Sequence, residues 1–503
     1  DLILPILDGF DEVAAGLRRH VLEALNAATD MPLLMTSRPD QYRAAVVETQ
    51  VLKAAAGVSL IDLDPSDLDH YLHRTTTRLT GEGAPLWEPV LAELRGETRS
   101  AAGANIAEAL STPLMASIAR TVYSDTPDRC PSELLDTDRF GHAEAIEKHL
   151  LGSFLPTVYR PRPGSRRYET DQVRRWLGYL ARHLKRLDTH DLAWWQFGDS
   201  MLRRTRMLIM ILTVGLVFGS VIFAVKGILD DEFRMGRILY AAVFGLATGT
   251  ALTLVREFGP GPRHRSLEPS RIRVRILERG HRRWRTAIHR CRTGLTAGAA
   301  LGFGYGILIG ILDLVVQGVE LRRVLLNGLF DATVFAAVFA FAAGIGFGFI
   351  GLNEEPLDIE SDYSPENLLR ANRTTVFVQV FLYATTTGVV LPLTIGLVGE
   401  LVRRLPPAFS IFIDRGPEFG LSVGLISGIG GGIAYALSMT AWGQWLVFGR
   451  LWLPLTGRLP WAVSTFLEDA YDRGVLRRAG VVYQFRHERL RDHLADIDHR
   501  QYD

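Results

Sequence analysis

The chain has 503 residues and a net charge of +1, from 56 basic and 55 acidic side chains; that balance excludes a protein whose whole surface serves nucleic acid, and no nucleic-acid partner is indicated. Its two cysteines, Cys130 and Cys291, lie far apart without ligand-like spacing, which excludes a disulfide framework and a zinc site. The length allows three or more domains, and composition changes sharply from soluble, amphipathic sequence before about residue 200 to long apolar segments from Met207.

The first element is the run LILPIL at 2–7, broken only by Pro5, which predicts a strand buried on both faces of a parallel sheet. Asp8, Asp11 and Glu12 follow it, split by Gly9 and Phe10. At the C-terminal edge of an open α/β sheet such carboxylates suit a Mg²⁺ that bridges to phosphates. An Asp-Gly turn capping a helix over 12–28 accounts for the same residues. The next run, MPLLMTSRPDQY at 31–42, predicts a strand that ends in Thr36, Ser37 and Arg38. That places a guanidinium at the same edge, where it can contact a γ-phosphate. VSLIDL at 58–63 predicts a third strand leading into a helix near Pro65. Together these make half of a doubly wound nucleotide-binding sheet. Amphipathic helices are predicted over 143–155 and 171–187.

Six apolar segments follow, at 207–225, 238–255, 294–316, 329–351, 375–398 and 419–441. Each approaches the roughly 20 residues needed to cross a bilayer core. They read as one hairpin used three times, since AVFGLATG at 242–249 is echoed by AVFAFAAG at 337–344. Small residues recur at every fourth position: Gly302, Gly306 and Gly310; Ala336, Ala340, Gly344 and Gly348; Gly420, Gly424, Gly428 and Gly432. Such stripes let helix backbones approach closely where lipid offers no hydrophobic drive. Asp313 and Asp331 lie near span ends, and no intramembrane row of charges marks an ion path. The connector 256–292 is far more arginine-rich than those around Asp230, Glu320 and Arg403, which predicts a cytoplasmic location for it and, with six spans, for both soluble parts. Nucleic acid or anionic lipid is the competing use of that loop; His264, His281 and His289 read as solvated members of it. The segment 442–455 is short, carries Arg450, and predicts an interfacial helix.

The motif of an apolar strand, Asp, a small residue, an apolar residue and an acidic pair resembles the modified Walker B box of NACHT NTPases, a branch of the STAND signalling ATPases. The resemblance implies Asp8 as the Mg²⁺ ligand, Asp11 and Glu12 as the catalytic pair polarising water, and Arg38 as the sensor arginine. LSTPLM at 110–115 resembles the helical domain's proline motif, implying that Pro113 lies near the adenine, although a helix-starting proline explains it equally. YQFRHERLRDHLA at 483–495 resembles the close of the family's winged-helix domain, implying that His487 contacts the β-phosphate; a capping or core histidine is its plain reading. The segment 172–197 resembles the beginning of that domain, so the six spans are inserted between its halves. The family's phosphate loop, G-x-x-x-x-G-K-[ST], is expected upstream of Asp1, because no Gly-Lys pair occurs downstream.

The implied fold is therefore a partial α/β P-loop NTPase followed by helical domains, a polytopic helical membrane region and a winged-helix-like α+β segment. The boundaries are 1–75 for the nucleotide-binding half-domain, 76–200 for the helical and first winged-helix part, 207–441 for the spans and 442–503 for the C-terminal segment. The implied cofactors are ATP or ADP with Mg²⁺. ATP hydrolysis is expected of a protein that also carries the phosphate loop. The implied setting is bacterial: a multi-pass plasma-membrane signalling switch, with a role in defence and homo-oligomerisation on activation. A channel or transporter with regulatory soluble parts, or a scaffold that no longer turns over ATP, are the competing functions.

The arginine asymmetry generates a topology prediction. Single cysteines placed near Arg275 and near Glu232 should be, respectively, protected from and accessible to an impermeant thiol reagent in intact cells. Labelling of both from outside contradicts the six-span orientation.

Overall fold

The protein is described here from a computed structural model. It describes residues 4–10, 13, 15–28, 32–47, 51–53, 55–76, 78–79, 83–96, 100–126, 128–160, 168–229, 235–258, 267–272, 281–317, 321–356, 365–402 and 417–497. Asp11, Glu12, His264 and most of the span connectors lie outside the described residues.

Strands β1 (Ile6–Leu7) and β2 (Leu34–Met35) pair in parallel, Ile6 opposite Leu34 and Leu7 opposite Met35. Each is followed by a helix, α1 (Ala15–Ala27) and α2 (Pro39–Val47), and Phe10, Leu22 and Ala45 form a small core between them. The expectation of a strand covered on both faces fails, since Ile6 is 62% and Leu34 50% exposed. Two strands and three buried side chains cannot cover both faces of a sheet. The third predicted strand is also absent: residues 55–64 form no strand pairing, and Val58, Leu60 and Ile61 are 86%, 96% and 88% exposed. β-propensity at 58–63 supplies no partner for the backbone N–H and C=O groups, and without a neighbouring strand the run stays unpaired. Leu63 alone is anchored, its N–H donating to Ser111 O at 2.6 Å.

A helical layer follows: α3 (Pro65–Thr75), α4 (Glu88–Arg95), α5 (Ala101–Ala109), α6 (Pro113–Ser124), α7 (Ala143–Val158) and α8 (Thr170–Leu187). Its helix starts are written locally. Asp64 and Asp67 make a reciprocal capping box with Pro65 at the first position, while Ser100 and Thr112 cap α5 and α6. Trp87 and Tyr123 are fully buried edge to face at 5.7 Å, and Trp87 Nε1 donates to Ser124 Oγ at 3.1 Å. That bond satisfies the indole inside an apolar core.

Six helices are long and apolar enough to cross a membrane, with limits Arg203–Leu229, Arg237–Phe258, Trp284–Ile311, Gly328–Asn353, Pro365–Leu401 and Glu418–Met439 among the described residues. They belong to α9 (Arg203–Leu229), α10 (Met235–Phe258), α11 (His281–Gln317), α12 (Leu321–Asn353), α13 (Pro365–Val402) and a composite sixth helix. The last comprises α14 (Pro417–Leu425), a π-helical turn at Ile426–Gly430 and α15 (Gly431–Met439). The third begins earlier than expected because the basic end of its connector continues the helix. A short antiparallel pair, β3 (Ser270–Ile272) with β4 (Glu354–Pro356), links two connectors.

The spans pack as three hairpins, α9 with α10, α11 with α12, and α13 with α14 and α15. Glycines bring the backbones of the paired helices close together in each hairpin. A Cβ on Gly298 or Gly302 would overlap the carbonyl oxygens of Phe339 or Phe335, and one on Gly428 would come within 2.7 Å of Ala384 O. In the first hairpin Gly219 meets Ala241 O at 2.7 Å in the same sense. The repeated AVF motifs thus occupy equivalent packing positions, and the driving contact is close backbone approach.

Beyond the sixth span, α16 (Ala441–Gln444), a π-helical stretch at Trp445–Trp452 and α17 (Leu453–Leu455) run between the two halves of the molecule. The stretch expected as an interfacial helix lies between them, with Arg450, Leu451 and Leu455 exposed. Trp445 and Leu453 enter the soluble core while Val447 and Phe448 enter the core of the bundle. The apolar residues are distributed around the helix, so both sides must be covered. Then come α18 (Val463–Asp472), the hairpin β5 (Leu476–Ala479) and β6 (Val482–Phe485), and α19 (Glu488–Ile497). Leu192 pairs with Tyr483, its N–H donating to Tyr483 O at 2.7 Å, and α19 packs on α7 and α8. Residues before the first span and after the last share one hydrophobic core.

Where this core meets the bundle, Glu257 at the end of α10 accepts from Arg203 and Arg206, both at 3.0 Å, and Arg206 also reaches Asp199 at 3.4 Å. Burial raises the Asp199 carboxyl pKa against the opposing pull of Arg206. Arg256 donates to Ser438 O at 2.8 Å, which ties α10 to the end of α15.

The glycine contacts generate a stability prediction. Gly302→Leu should destabilise the α11–α12 hairpin by about 1–3 kcal/mol through overpacking. Gly304→Ala, with nothing within 4 Å of its Cβ, should stay within about 0.5 kcal/mol of the parent. Equal unfolding midpoints in detergent for both variants would show that the stripe does not set the packing.

Candidate functional site

The chain leaves β1 at Asp8 and turns sharply at Gly9, whose φ of +76° lies in the left-handed region where a side chain is strained. Thr36, just past β2, holds this turn. Its Oγ1 accepts from the Gly9 N–H at 2.9 Å and donates to the Asp8 carboxylate, while its carbonyl accepts from Phe10 N–H at 2.9 Å. Asp8 is thereby presented, exposed, at the C-terminal edge of the parallel pair. A single fixed carboxylate suits Mg²⁺, which takes one or two protein carboxylates and completes its shell with phosphate and water. No cluster of three metal-ligating side chains occurs among the described residues.

Arg38 begins α2 at the same edge, its carbonyl accepting from Tyr42 N–H at 3.1 Å. Its guanidinium does not stay over the sheet. It reaches Glu488 at the start of α19, with Nη2 to Oε2 at 2.7 Å, across a sequence separation of 450. Glu488 also receives Arg491 at 3.0 Å, and Arg491 contacts His190 Nδ1 at 2.8 Å. Gln484 donates to Asp191 at 2.6 Å and accepts from Arg477 at 2.9 Å, extending the polar network to β5 and β6. Burial favours a higher pKa for Glu488, but Arg38, Arg491 and His190 outweigh it and hold the carboxyl below its ordinary value. These groups line a cleft of about 840 Å³ between the β1–β2 unit and the C-terminal segment, with Arg18 and Gln41 on one wall.

The remaining expected site residues are spread around this cleft. His487 immediately precedes Glu488 but does not line the cleft. Burial, helped by Arg486 and Arg477, pulls its pKa down to about 4, so its imidazole is neutral at pH 7. Pro113 is the first residue of α6, exposed beside its cap Thr112, and also lies outside the cleft lining. Asp11 and Glu12 fall outside the described residues. Sequence reasoning missed Glu488, His190 and Arg491; the only pointer was their place beside His487 and at the end of α8.

A comparison of the chain with protein-family models, with curated proteins and with solved structures finds no match.

The charge network generates two expectations. Because Arg38 and Glu488 are 56% and 39% exposed, a double-mutant cycle with Arg38→Ala and Glu488→Ala should give a coupling of only about 0.2–1 kcal/mol. His183 and His487 both have pKa values lowered to about 4 from 6.5, chiefly by burial. The unfolded chain therefore binds protons that the folded core refuses, and stability should rise with pH between about 4 and 6.5. Glu488 acts in the same direction, its contribution being lost as pH falls through its lowered value. Tryptophan-fluorescence unfolding midpoints should climb across that window in the parent and climb less steeply in His183→Gln and in His487→Gln, with burial of His149 and His493 sustaining the remaining slope; a flat parent profile would refute the assignment.

Proposed function

We propose that the protein is a membrane-anchored NTPase switch of the NACHT type, in which an anion-binding arginine couples the nucleotide-binding sheet to the C-terminal segment. The observation that carries this reading is the Arg38–Glu488 contact. Asp8 and Arg38 stand at the C-terminal edge of a parallel strand pair, where an α/β nucleotide-binding fold places its ligand. The Arg38 fork that would serve a phosphate is committed to a carboxylate of α19. Phosphate and carboxylate each present oxygens that a guanidinium can pair with, so the two compete.

Each residue then has a defined task. Asp8, oriented by Thr36, holds Mg²⁺, which supplies charge neutralisation at the phosphates of ATP or ADP. Asp11 and Glu12 are placed by the sequence to orient and polarise water. Arg38 exchanges Glu488 for phosphate and leaves Glu488 to Arg491 and His190. His487, neutral and half-buried, can donate one N–H to an anion without bringing charge of its own. The shared core supports a reading with both soluble segments on one side of the membrane, and the arginine-rich connector favours the cytoplasmic side. Homo-oligomerisation on activation and a role in bacterial defence follow from the family reading alone. A second reading, a channel or transporter with regulatory soluble parts, draws on a cavity that all six spans line.

The test uses the protein together with an upstream phosphate loop. Asp8→Asn should weaken Mg²⁺-dependent hydrolysis, Glu12→Gln should slow turnover with nucleotide still bound, and Glu488→Ala should speed nucleotide exchange by removing the competitor for Arg38. ATPase and nucleotide-retention assays distinguish these effects; parental values in all three variants would reduce the acidic motif to a capped turn.

A further inference from the structure

The bundle encloses a cavity of about 960 Å³ to which all six spans contribute lining residues. That is the upper end of the range of small-molecule sites. Along α10 the lining runs from Tyr240 to Val255, a rise of about 22 Å. One leaflet of hydrocarbon is about 15 Å deep, so the cavity is long enough to take an entire acyl chain lengthwise.

Its two ends differ chemically. One is closed by aromatic rings: Phe347 packs edge-on against Tyr383 at 5.6 Å and Tyr435 at 4.9 Å, and those two tyrosines stack at 6.1 Å. The other end carries both charges of the lining, Lys226 near the end of α9 and Glu418 near the start of α14. Because the spans alternate in direction, the end of α9 and the start of α14 lie on the same side of the bundle, and the two helices pack together. Lys226 Nζ sits 4.9 Å from the Tyr240 ring, which holds the ammonium at the mouth. Between the ends the wall is apolar, apart from hydroxyls such as Thr248, whose Oγ1 is already bonded to Phe244 O at 2.9 Å.

The slot has an apolar length, an aromatic floor and, toward its other end, one cation and one anion among its described lining residues. We propose that the cavity binds a zwitterionic phospholipid, with its tail toward Phe347, Tyr383 and Tyr435 and its headgroup at Lys226 and Glu418. The ammonium of Lys226 attracts the headgroup phosphate, and Glu418 attracts the headgroup amine. A purely anionic headgroup gains the first contact and is repelled at the second. The assignment is independent of the nucleotide reading and concerns only the membrane region.

The probe is phosphatidylethanolamine with a diazirine in its acyl chain, photolysed in nanodiscs that hold the full chain. Crosslinks should fall on peptides of α10 and α13, saturate with probe, and be competed by unlabelled phosphatidylethanolamine far better than by phosphatidylglycerol. Ala247→Trp, which fills the slot from an exposed lining position of α10, should cut labelling at least about tenfold with an unchanged unfolding midpoint. Glu418→Lys should reverse the order of competition in favour of phosphatidylglycerol, a change that a merely misfolded variant would not show. Labelling that does not saturate and persists in Ala247→Trp would mean annular lipid only and would overturn the proposal. Equal competition by both lipids would overturn the headgroup assignment, and crosslinking between two copies of the chain at these helices would replace the lipid with a protein partner.

Discussion

Everything in this molecule depends on one closure: Leu192 pairs with Tyr483, and α8 packs on α19, so that chain preceding the spans and chain following them make a single core. The packing of Trp176 and Tyr168 on Phe466, and of Phe197 and Leu490 in the same core, brings chain from both sides of the spans into one body. The six helices long and apolar enough to cross a membrane agree with that closure, since an even number returns the chain to the side it left. The membrane helices are an insertion with both ends tied to one body.

That arrangement gives a physical route between the cleft and the bundle. Glu488 starts α19, α19 lies on α8, and the chain after α8 carries Phe197 and Gly198 beneath the ring of Phe448, where a Cβ at Gly198 would lie 2.7 Å from that ring. Phe448 belongs to the core of the bundle, and the Glu257 cluster clamps the ends of the first two spans at the same level. A shift of α19 relative to Arg38 has little slack to absorb it along this path, since close-packed contacts transmit displacement. Coupling of this kind requires distinct contacts in two states, and the Arg38–Glu488 pair is the contact observed in this one.

Inside the bundle the same feature produces both tightness and space. Glycine and alanine stripes bring the two helices of each hairpin close enough for backbone contact. The three hairpins then meet one another through large aromatic side chains, Phe244 on Tyr305, Phe335 on Phe419 and Phe347 on Tyr435, with an elongated void among them. The π-helical turn at Ile426–Gly430 lies beside that void, with Ile426 and Ser427 in its lining. Such turns are frequent at functional positions in helices.

The sequence by itself determined what depends on neighbours a few residues apart. The six spans, their small-residue faces, the helix starts near Pro65 and at Pro113, and the order of helix, short strands and helix at the C-terminus were legible as periodicity and proline placement. The placement of Asp8 and Arg38 at one strand edge was legible too, because a parallel strand followed by a helix puts its ligand edge at a known point. Only the tertiary structure decided that Arg38 meets Glu488, that 58–63 stays unpaired, that 442–455 gives side chains to two cores, and that a cavity runs through the bundle. Each of these depends on which distant surfaces cover a segment or face a charge. Strand pairing, burial and ion pairing are settled by the partner a group finds, and propensity within the segment carries no information about that partner.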